Sequence, residues 1–490
     1  MWNLANLYSE AGEYDKMNKL LEKTSEKDFG KTAEFYYNLA NLEISDGGYT
    51  LFKKEIKDKN IILDRTFKKE KIKGQTHFIF KGILTYSPTK YECCNSNKVV
   101  KNGFNEPTTI NLLKLSGIPS RLTLKKQRFK CKQCNKKFVA RTSLVLKHCH
   151  ISQNVKLSIL KALTATLSFK QISKEHNVSE NTTIRILKSC RKQVEVNCYK
   201  SLPQHLCFDE IKSTKDSKHS MSFVFLDAKT HDFIDIVEGR TKYILNSYFL
   251  RFKRKTKNKV KTICIDIYPP YMDIIKKHFP NARIIIDRFH IIQNINRELN
   301  KERVRLMNIY RGKKGKEGRN YTILKNFWRL VLADEDKIDY EKYFYNRSFG
   351  KLVTRRDVLN YILSLDKSFK ASYEITQEVR KAVKDRDEVS LKELMDMDTT
   401  SLPRGIAKAI KTMKRYREYM VNSVKYEYSN GPLEGFNNKI KLVKRVSYGY
   451  NSFDNFRLRI LIMSRLFVSK YKNNERVGKH SKNAKQLNAA

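Results

Sequence analysis

Acidic residues are heavily outnumbered by basic ones in this sequence, and long apolar runs are missing from it. Its 490 residues hold 51 Asp and Glu against 99 Lys and Arg, a formal net charge of +48, and the pI is near 9.8. An excess that large draws polyanions at long range, although Lys-rich composition also follows genome bias. No apolar stretch approaches the ~18 residues that a spanning helix needs, which argues against a helical membrane protein. The start is polar and carries Glu10 and Glu13, so no signal peptide is expected. Without a secretory context, the nine cysteines point to a reducing cytoplasm, with metal-binding or plain thiol roles in place of disulfides. What the chain does have is apolar content of 40 %, enough for real cores, and a length that suggests roughly three domains.

Residues 1–52 contain an internal repeat. NLANLYSEAGEYDKM starts at Asn3 and NLANLEISDGGYTLF at Asn38, an offset of 35, with Gly12 and Gly47, then Tyr14 and Tyr49, in matching places. The segment resembles tetratricopeptide repeats, whose period is ~34 residues. About one and a half repeats fit where ~3 are usually needed to bury a stacked core. The expectation is a helical fragment that is marginal alone or docked on something else.

Residues 53–150 change character. IKDKNIILDRTF and THFIFKGILTYSP alternate polar with β-branched and aromatic residues and read as strands. Cys131 and Cys134 in CKQC have the spacing that turns two thiolates toward one metal, and a second pair would complete a structural zinc site. That pair is irregular, because YECC places Tyr91 where the first thiol belongs and leaves Cys93 and Cys94 adjacent. Zn²⁺ is expected on Cys93, Cys94, Cys131 and Cys134. His148, Cys149 and His150 are alternative donors, and free thiols fit the same residues.

Residues 151–200 read as helices. Val155 to Leu167 is amphipathic, a short helix surrounds Ile172, a turn follows at Asn177 to Ser179, and a second helix runs from about Asn181 to Val194. Ser179 or Asn181 suits the cap of that last helix. In a helix-turn-helix its first residues read base edges, which singles out Thr182, Thr183, Arg185 and Lys188. An ordinary helical hairpin has the same pattern.

Three acids in recognisable settings follow. Asp209 lies in LCFDEIK and Asp266 in TICIDIYPPY, both apolar β-branched runs, and Glu434 opens a helical stretch in SNGPLEGFNNKIK. Carboxylates at the ends of core strands, completed by one from a distant helix, suit a pair of Mg²⁺ ions in phosphoryl transfer. One such acid more often ends a strand and faces water, but three in this order on so basic a chain point to a site. Residues 201–300 hold strands at LCFDEI, MSFVFLDA, FIDIVEGR, TICIDIY and ARIIIDRFH, the first three near enough for an antiparallel meander. Helices at about Tyr243 to Phe252 and Tyr271 to Phe279 favour parallel crossovers for the rest. This is the pattern of a ribonuclease H-like α/β core. Residues 301–425 read as an all-helical insertion, 426–470 as the return to the core, with Gly431 and Pro432 as a turn, and 471–490 as a disordered basic tail. Lys439, Lys441, Lys444 and Arg445 follow Glu434 at partly helical spacing, as a phosphate clamp or as a solvated face.

KQRFKCKQC, the helical block, LPQHLCFDE, IDIYPPY, IIIDRFHIIQNINR, SNGPLEGFNNKIK and VSYGYNSFDNFRLRIL, taken in order, resemble insertion-sequence transposases of the ISL3 group in the DDE superfamily. The resemblance runs from about Glu55 to Lys470. It implies an arm with a zinc finger and helix-turn-helix that binds terminal inverted repeats, and a split ribonuclease H-like domain that cleaves and joins DNA strands. Asp209, Asp266 and Glu434 match the catalytic triad, holding two Mg²⁺ or Mn²⁺ ions. Asp287 and His290 match an Asp-x-x-His element, with His290 near the chemistry. The implied partners are double-stranded DNA and further copies of the chain in a synaptic complex, and the implied location is the bacterial cytoplasm, at the nucleoid. Tyr91 and the repeat-like start depart from the family. A Mg²⁺ nuclease and an inactive DNA-binding regulator are the alternatives.

Overall fold

The computed structural model describes residues 56–466 apart from 92–93, 116 and 196–199; the repeat-like start, Cys93 and the basic tail lie outside them. The described chain forms two compact units, parted between Arg191 and Lys192.

The first unit is built on a six-stranded sheet. β1 (Ile61–Ile72) and β2 (Gln75–Leu84) make an antiparallel hairpin. Its turn residues, Lys73 and Gly74, both have positive φ, as a two-residue hairpin loop requires. β3 (Val99–Phe104) and β4 (Thr108–Leu115) pair antiparallel with the long β5 (Ile118–Cys131), and β2 lies parallel to β5 on its other side. β6 (Lys137–Val139) returns along the end of β5. Alternation buries Phe78, Phe80, Leu122, Leu124 and Phe129 in one core.

α1 (Gln153–Ala162), α2 (Phe169–Glu175) and α3 (Glu180–Ser189) follow. The turn between α2 and α3 has Asn177 at φ 50°, and Ser179 caps α3 by accepting from Thr182 N. The turn and its capping serine lie where the sequence placed them, but α1 stops at Ala162, short of the expected Leu167, and α3 stops at Ser189; a separate short helix, α4 (Arg191–Glu195), carries on. α1, α2 and α3 belong to the same unit as the sheet. Asn111 of β4 donates to the carbonyls of His176 and Asn177.

The second unit carries a five-stranded sheet made of β7 (His205–Lys212), β8 (Met221–Asp227), β9 (Phe233–Val237), β10 (Thr262–Ile265) and β11 (Arg283–Ile286). Their order is β11-β10-β7-β8-β9. β7, β8 and β9 form the antiparallel meander, and β10 is parallel to both β7 and β11. The crossovers run through α5 (Lys242–Phe249), the short α6 (Arg254–Lys257) and α7 (Pro269–His278). Phe208, Phe223, Phe225, Phe249 and Phe279 fill the space between sheet and helices, with edge-to-face and stacked ring pairs.

α8 (Arg288–Ile309) leaves the sheet and runs unbroken past residue 300 into the helical region. That region comprises α9 (Gly315–Asn326), α10 (Trp328–Val331), α11 (Arg355–Ser364), α12 (Lys367–Lys384), α13 (Glu388–Asp396) and α14 (Arg404–Arg415). It is not all helical. β12 (Phe344–Asn346) and β13 (Lys351–Val353) form a small antiparallel hairpin, too short and too polar for its alternation to stand out.

α15 (Arg417–Lys425) brings the chain back onto the sheet. Asn422 donates to the Ile284 carbonyl and Ser423 to that of Ile286, which covers the edge strand β11. Arg288 donates to the carbonyls of Ser423, Tyr426 and Glu427 and fixes the next stretch against the start of α8. α16 (Gly431–Val446) therefore begins beside the sheet, and α17 (Phe453–Arg465) closes the unit against β9. Gly431 and Pro432, expected as a turn, are the first residues of α16, where a proline costs nothing because its missing N–H has no helical partner.

Candidate active site

Parallel strands place whatever follows them at one edge of the sheet, where α/β proteins hold their ligands. β10 and β11 end in register at Ile265 and Ile286, so Asp266 and Asp287 emerge side by side. β7 pairs with β10 through Cys207 and Cys264; two residues further along that register, Asp209 comes level with Asp266.

His290, one turn into α8, has Nε2 3.0 Å from Asp266 Oδ1. Ligand atoms of Asp266, Asp287 and His290 lie within 4.8 Å of one another. Asp287 is buried and accepts from the Asn430 N–H, 3.1 Å away. Burial raises its carboxyl above the usual range, and the bond to Asp266 raises the His290 imidazole. The Asp209 carboxyl is pushed up to about 6, first by burial and then by the Asp266 and Glu210 carboxylates.

Two asparagines of SNGPLEGFNNK bind these groups. The Asn437 amide donates to Asp209 Oδ2 at 2.7 Å. The Asn430 amide donates to the Phe208 carbonyl at 3.1 Å and to Asp266 Oδ1 at 3.3 Å. Glu434 stands four residues after Asn430 and three before Asn437, on the same side of α16. Its own side chain is exposed and is not in the Asp266–Asp287–His290 cluster. Glu210 has other commitments: it pairs with Arg240 and accepts from Tyr271. Arg240 in turn lies over the Tyr268 ring, 4.8 Å from its centroid.

A cavity of about 540 Å³ opens over Asp209, Asp266 and His290 and continues between α8 and α14, past Arg297, Lys301 and Lys408. Gly405 in the first turn of α14 faces α8: a Cβ there would stand 2.8 Å from Glu298 Oε2, the far end of a flexible side chain. Residues expected only to fill an insertion thus form one wall of the cavity.

The oxygen-rich set suits a hard divalent cation. Beside the carboxylates, Oδ1 of Asn430 and of Asn437 are buried without a hydrogen-bond partner.

A profile of the ISL3-type DDE transposase family matches residues 206–460, which span every acid described above. The chain belongs to this transposase family. One relative is the transposase for insertion sequence element IS1001 of Bordetella parapertussis, 24% identical over 262 residues, 52% of this chain and 60% of the relative. Another, named an ATP-dependent protease of Lactococcus lactis subsp. lactis, is 36% identical over 122 residues, 25% of this chain and 39% of the relative. The chain spans less than two thirds of the length of these curated relatives.

The other expected site residues fare unequally. Lys439, Lys441 and Arg445 are exposed on α16. Lys444 turns inward: its Nζ donates to the Lys212 and Ser213 carbonyls and lies over the Phe456 ring, which is a packing role and not a phosphate clamp. On α3, Arg185 and Lys188 are exposed, and Thr182 bonds to Ser179 and Arg185. Thr183 is fully buried, with its hydroxyl 2.9 Å from that of Ser173, so it cannot read a base.

Cys94 Sγ lies 3.5 Å from both Cys131 Sγ and Cys134 Sγ. Tetrahedral zinc with bonds of about 2.3 Å separates its sulfurs by about 3.8 Å, so the three thiols suit that ion. The N–H groups of Cys134 and Gln133 draw the Cys131 thiol down to about 7. His148, Cys149 and His150 are not in this cluster. Tyr91 stacks on Phe138, with centroids 4.8 Å apart, so an aromatic pair stands where a thiol was expected.

The sequence reading passed over Asn430 and Asn437. Their spacing about Glu434, at i−4 and i+3, was the available signal.

Proposed function

We propose that this chain is an insertion-sequence transposase that binds terminal inverted repeats through its first unit and cuts and joins DNA at the Asp209–Asp266 edge of a ribonuclease H-like core. The observation that carries the reading is the double tie from α16: Asn437 to Asp209 and Asn430 to Asp266, with Glu434 between them.

In this reading Asp209, Asp266 and Glu434 hold two divalent ions, Mg²⁺ or Mn²⁺, which when bound supply Lewis acidity and an activated water. Asn437 and Asn430 orient the two aspartates. His290 holds Asp266 and, when protonated, offsets the crowding of carboxylates. Hydrolysis of a phosphodiester at the element's end frees a 3′-OH, which then attacks target DNA at the same site. Exposed Arg185 and Lys188 of α3 face DNA as a recognition helix, and Lys439, Lys441 and Arg445 meet phosphates. Zn²⁺ on Cys94, Cys131, Cys134 and Cys93 stiffens the arm. Further copies of the chain complete a synaptic complex.

The test is strand cleavage and joining on duplexes from the DNA bordering the gene, with Mg²⁺ and with Mn²⁺. A transposase cuts at the repeat end and joins that end to a second DNA. Cutting without joining identifies a nuclease, and binding without cutting a regulator.

A further inference from the structure

α16 ends in an unusual way. Its last turn leads to Tyr448, which is 94% exposed and has φ 53°. A bulky side chain in the left-handed region is strained, and an exposed aromatic ring gains no packing in return. The turn is nevertheless tightly held. Tyr448 N donates to the Arg445 carbonyl, Gly449 N to that of Lys444, and Lys215 N to that of Tyr450. Asp216 accepts from the Phe453 N–H and ties the same turn to the loop after β7.

The stripe that leads to this ring is charged. Glu434, Lys441 and Arg445 recur at seven and four residues, so they share one face of α16; Tyr448 follows two residues past the helix end, and all four are exposed. Among the described residues, no ion pair engages Lys441 or Arg445. Lys215 adds a third cation, with Cε 3.8 Å from where a Cβ on Gly449 would stand.

We infer that Tyr448 is a stacking platform for one nucleobase turned out of the DNA whose backbone runs along Lys441 and Arg445 from the active site. The inference rests on the transposase reading and adds a contact and its place. The partner follows from the chemistry: a polyanion suits the cations, and a flat π-face suits a ring held out on a fixed turn. The twelve helical steps from Glu434 to Val446 rise about 18 Å, and Tyr448 stands just beyond that end. At 3.4 Å per base the ring meets a nucleotide about six steps from the scissile phosphate.

A double-mutant cycle between protein and DNA tests this. The full chain is titrated, with Ca²⁺ in place of Mg²⁺, against a duplex from the DNA bordering the gene that carries one abasic site, stepped away from the cleavage point on either strand. Tyr448→Asn relieves the left-handed strain, so it should raise or keep the melting temperature while weakening binding to intact DNA about tenfold. Tyr448→Trp should bind like the wild type. At one position about six nucleotides out, the abasic site should cost the wild type the same factor and cost Tyr448→Asn nothing further. Losses that simply multiply at every position overturn the inference. So does an unchanged affinity combined with an altered oligomeric state, which would make Tyr448 a contact between protein chains. A wild type that cuts and joins DNA but shows no coupling keeps its proposed function and loses only this contact. A wild type that neither binds nor cuts the bordering DNA overturns both.

Discussion

Asn437 donates its side-chain amide to the Asp209 carboxylate at 2.7 Å, across 228 residues of chain. This bond joins the first strand of the sheet to the helix that follows the insertion. Asn437→Ala removes a buried donor to a carboxylate and is expected to cost about 1–3 kcal/mol of stability. It should also slow cleavage without abolishing DNA binding, because Asp209 loses its orientation but keeps its charge. Urea unfolding and single-turnover cleavage check the two effects separately.

The raised Asp209 carboxyl makes a prediction about pH. Its folded value of about 6 stands above the ordinary 3.8, so the folded metal-free chain holds this proton more tightly than the unfolded chain. Asp209 therefore costs nothing well below pH 4; stability falls as pH rises from about 4 to about 6 and levels off above that. Asp209→Asn keeps the shape without the charge. In EDTA it should be more stable than the wild type at pH 8, by about 1–3 kcal/mol, and the difference should vanish below about pH 4. A constant difference across that range would contradict the burial argument.

The three acids should separate by stability and agree in activity. Asp209→Ala, Asp266→Ala and Glu434→Ala are each expected to abolish cleavage and joining with DNA affinity retained. Glu434 is exposed, so its replacement should leave metal-free stability within about 0.5 kcal/mol of the wild type. Cleavage assays and thermal melts on the three variants decide this; an active Glu434→Ala would remove it from the site.

Purified protein should carry close to one zinc per chain, held in part by the Cys94, Cys131 and Cys134 thiols. Cys131→Ser should release it, since a tetrahedral site loses a ligand. Metal analysis before and after the substitution checks this. Less than about a tenth of a zinc per chain would leave the three thiols as plain cysteines.

On α3, neighbouring residues should behave differently. Thr183→Val removes one buried hydrogen bond, while the Ser173 hydroxyl keeps its bond to the Phe169 carbonyl; it should destabilise the first unit by about 0.5–1.5 kcal/mol, with the preference for inverted-repeat over random DNA unchanged. Arg185→Ala should leave stability alone and reduce that preference. An equal loss on both DNAs would make Arg185 a phosphate contact.

Local pattern made much of this legible. Alternating apolar residues marked the strands, Asn177 to Ser179 marked the turn before α3, and two short apolar runs ending in acids marked the sheet edge. Those signals lie within a few residues of one another, and backbone geometry alone reads them out. The order of residues also decided the meander followed by parallel crossovers, because helices of that length fit between the later strands.

Tertiary structure decided the rest. Glu210 lines the same cavity as Asp209, and its engagement by Arg240 and Tyr271 is a tertiary matter. Whether Lys444 or its neighbours meet solvent depends on two carbonyls more than 200 residues away, and Thr183 is core only because Ser173 packs against it. The insertion helices line the cavity because α14 packs along α8. In each case side chains of one type compete for burial or for a partner that is distant in sequence. Periodicity along the chain says which face a residue takes, but only the packed neighbours say what that face meets.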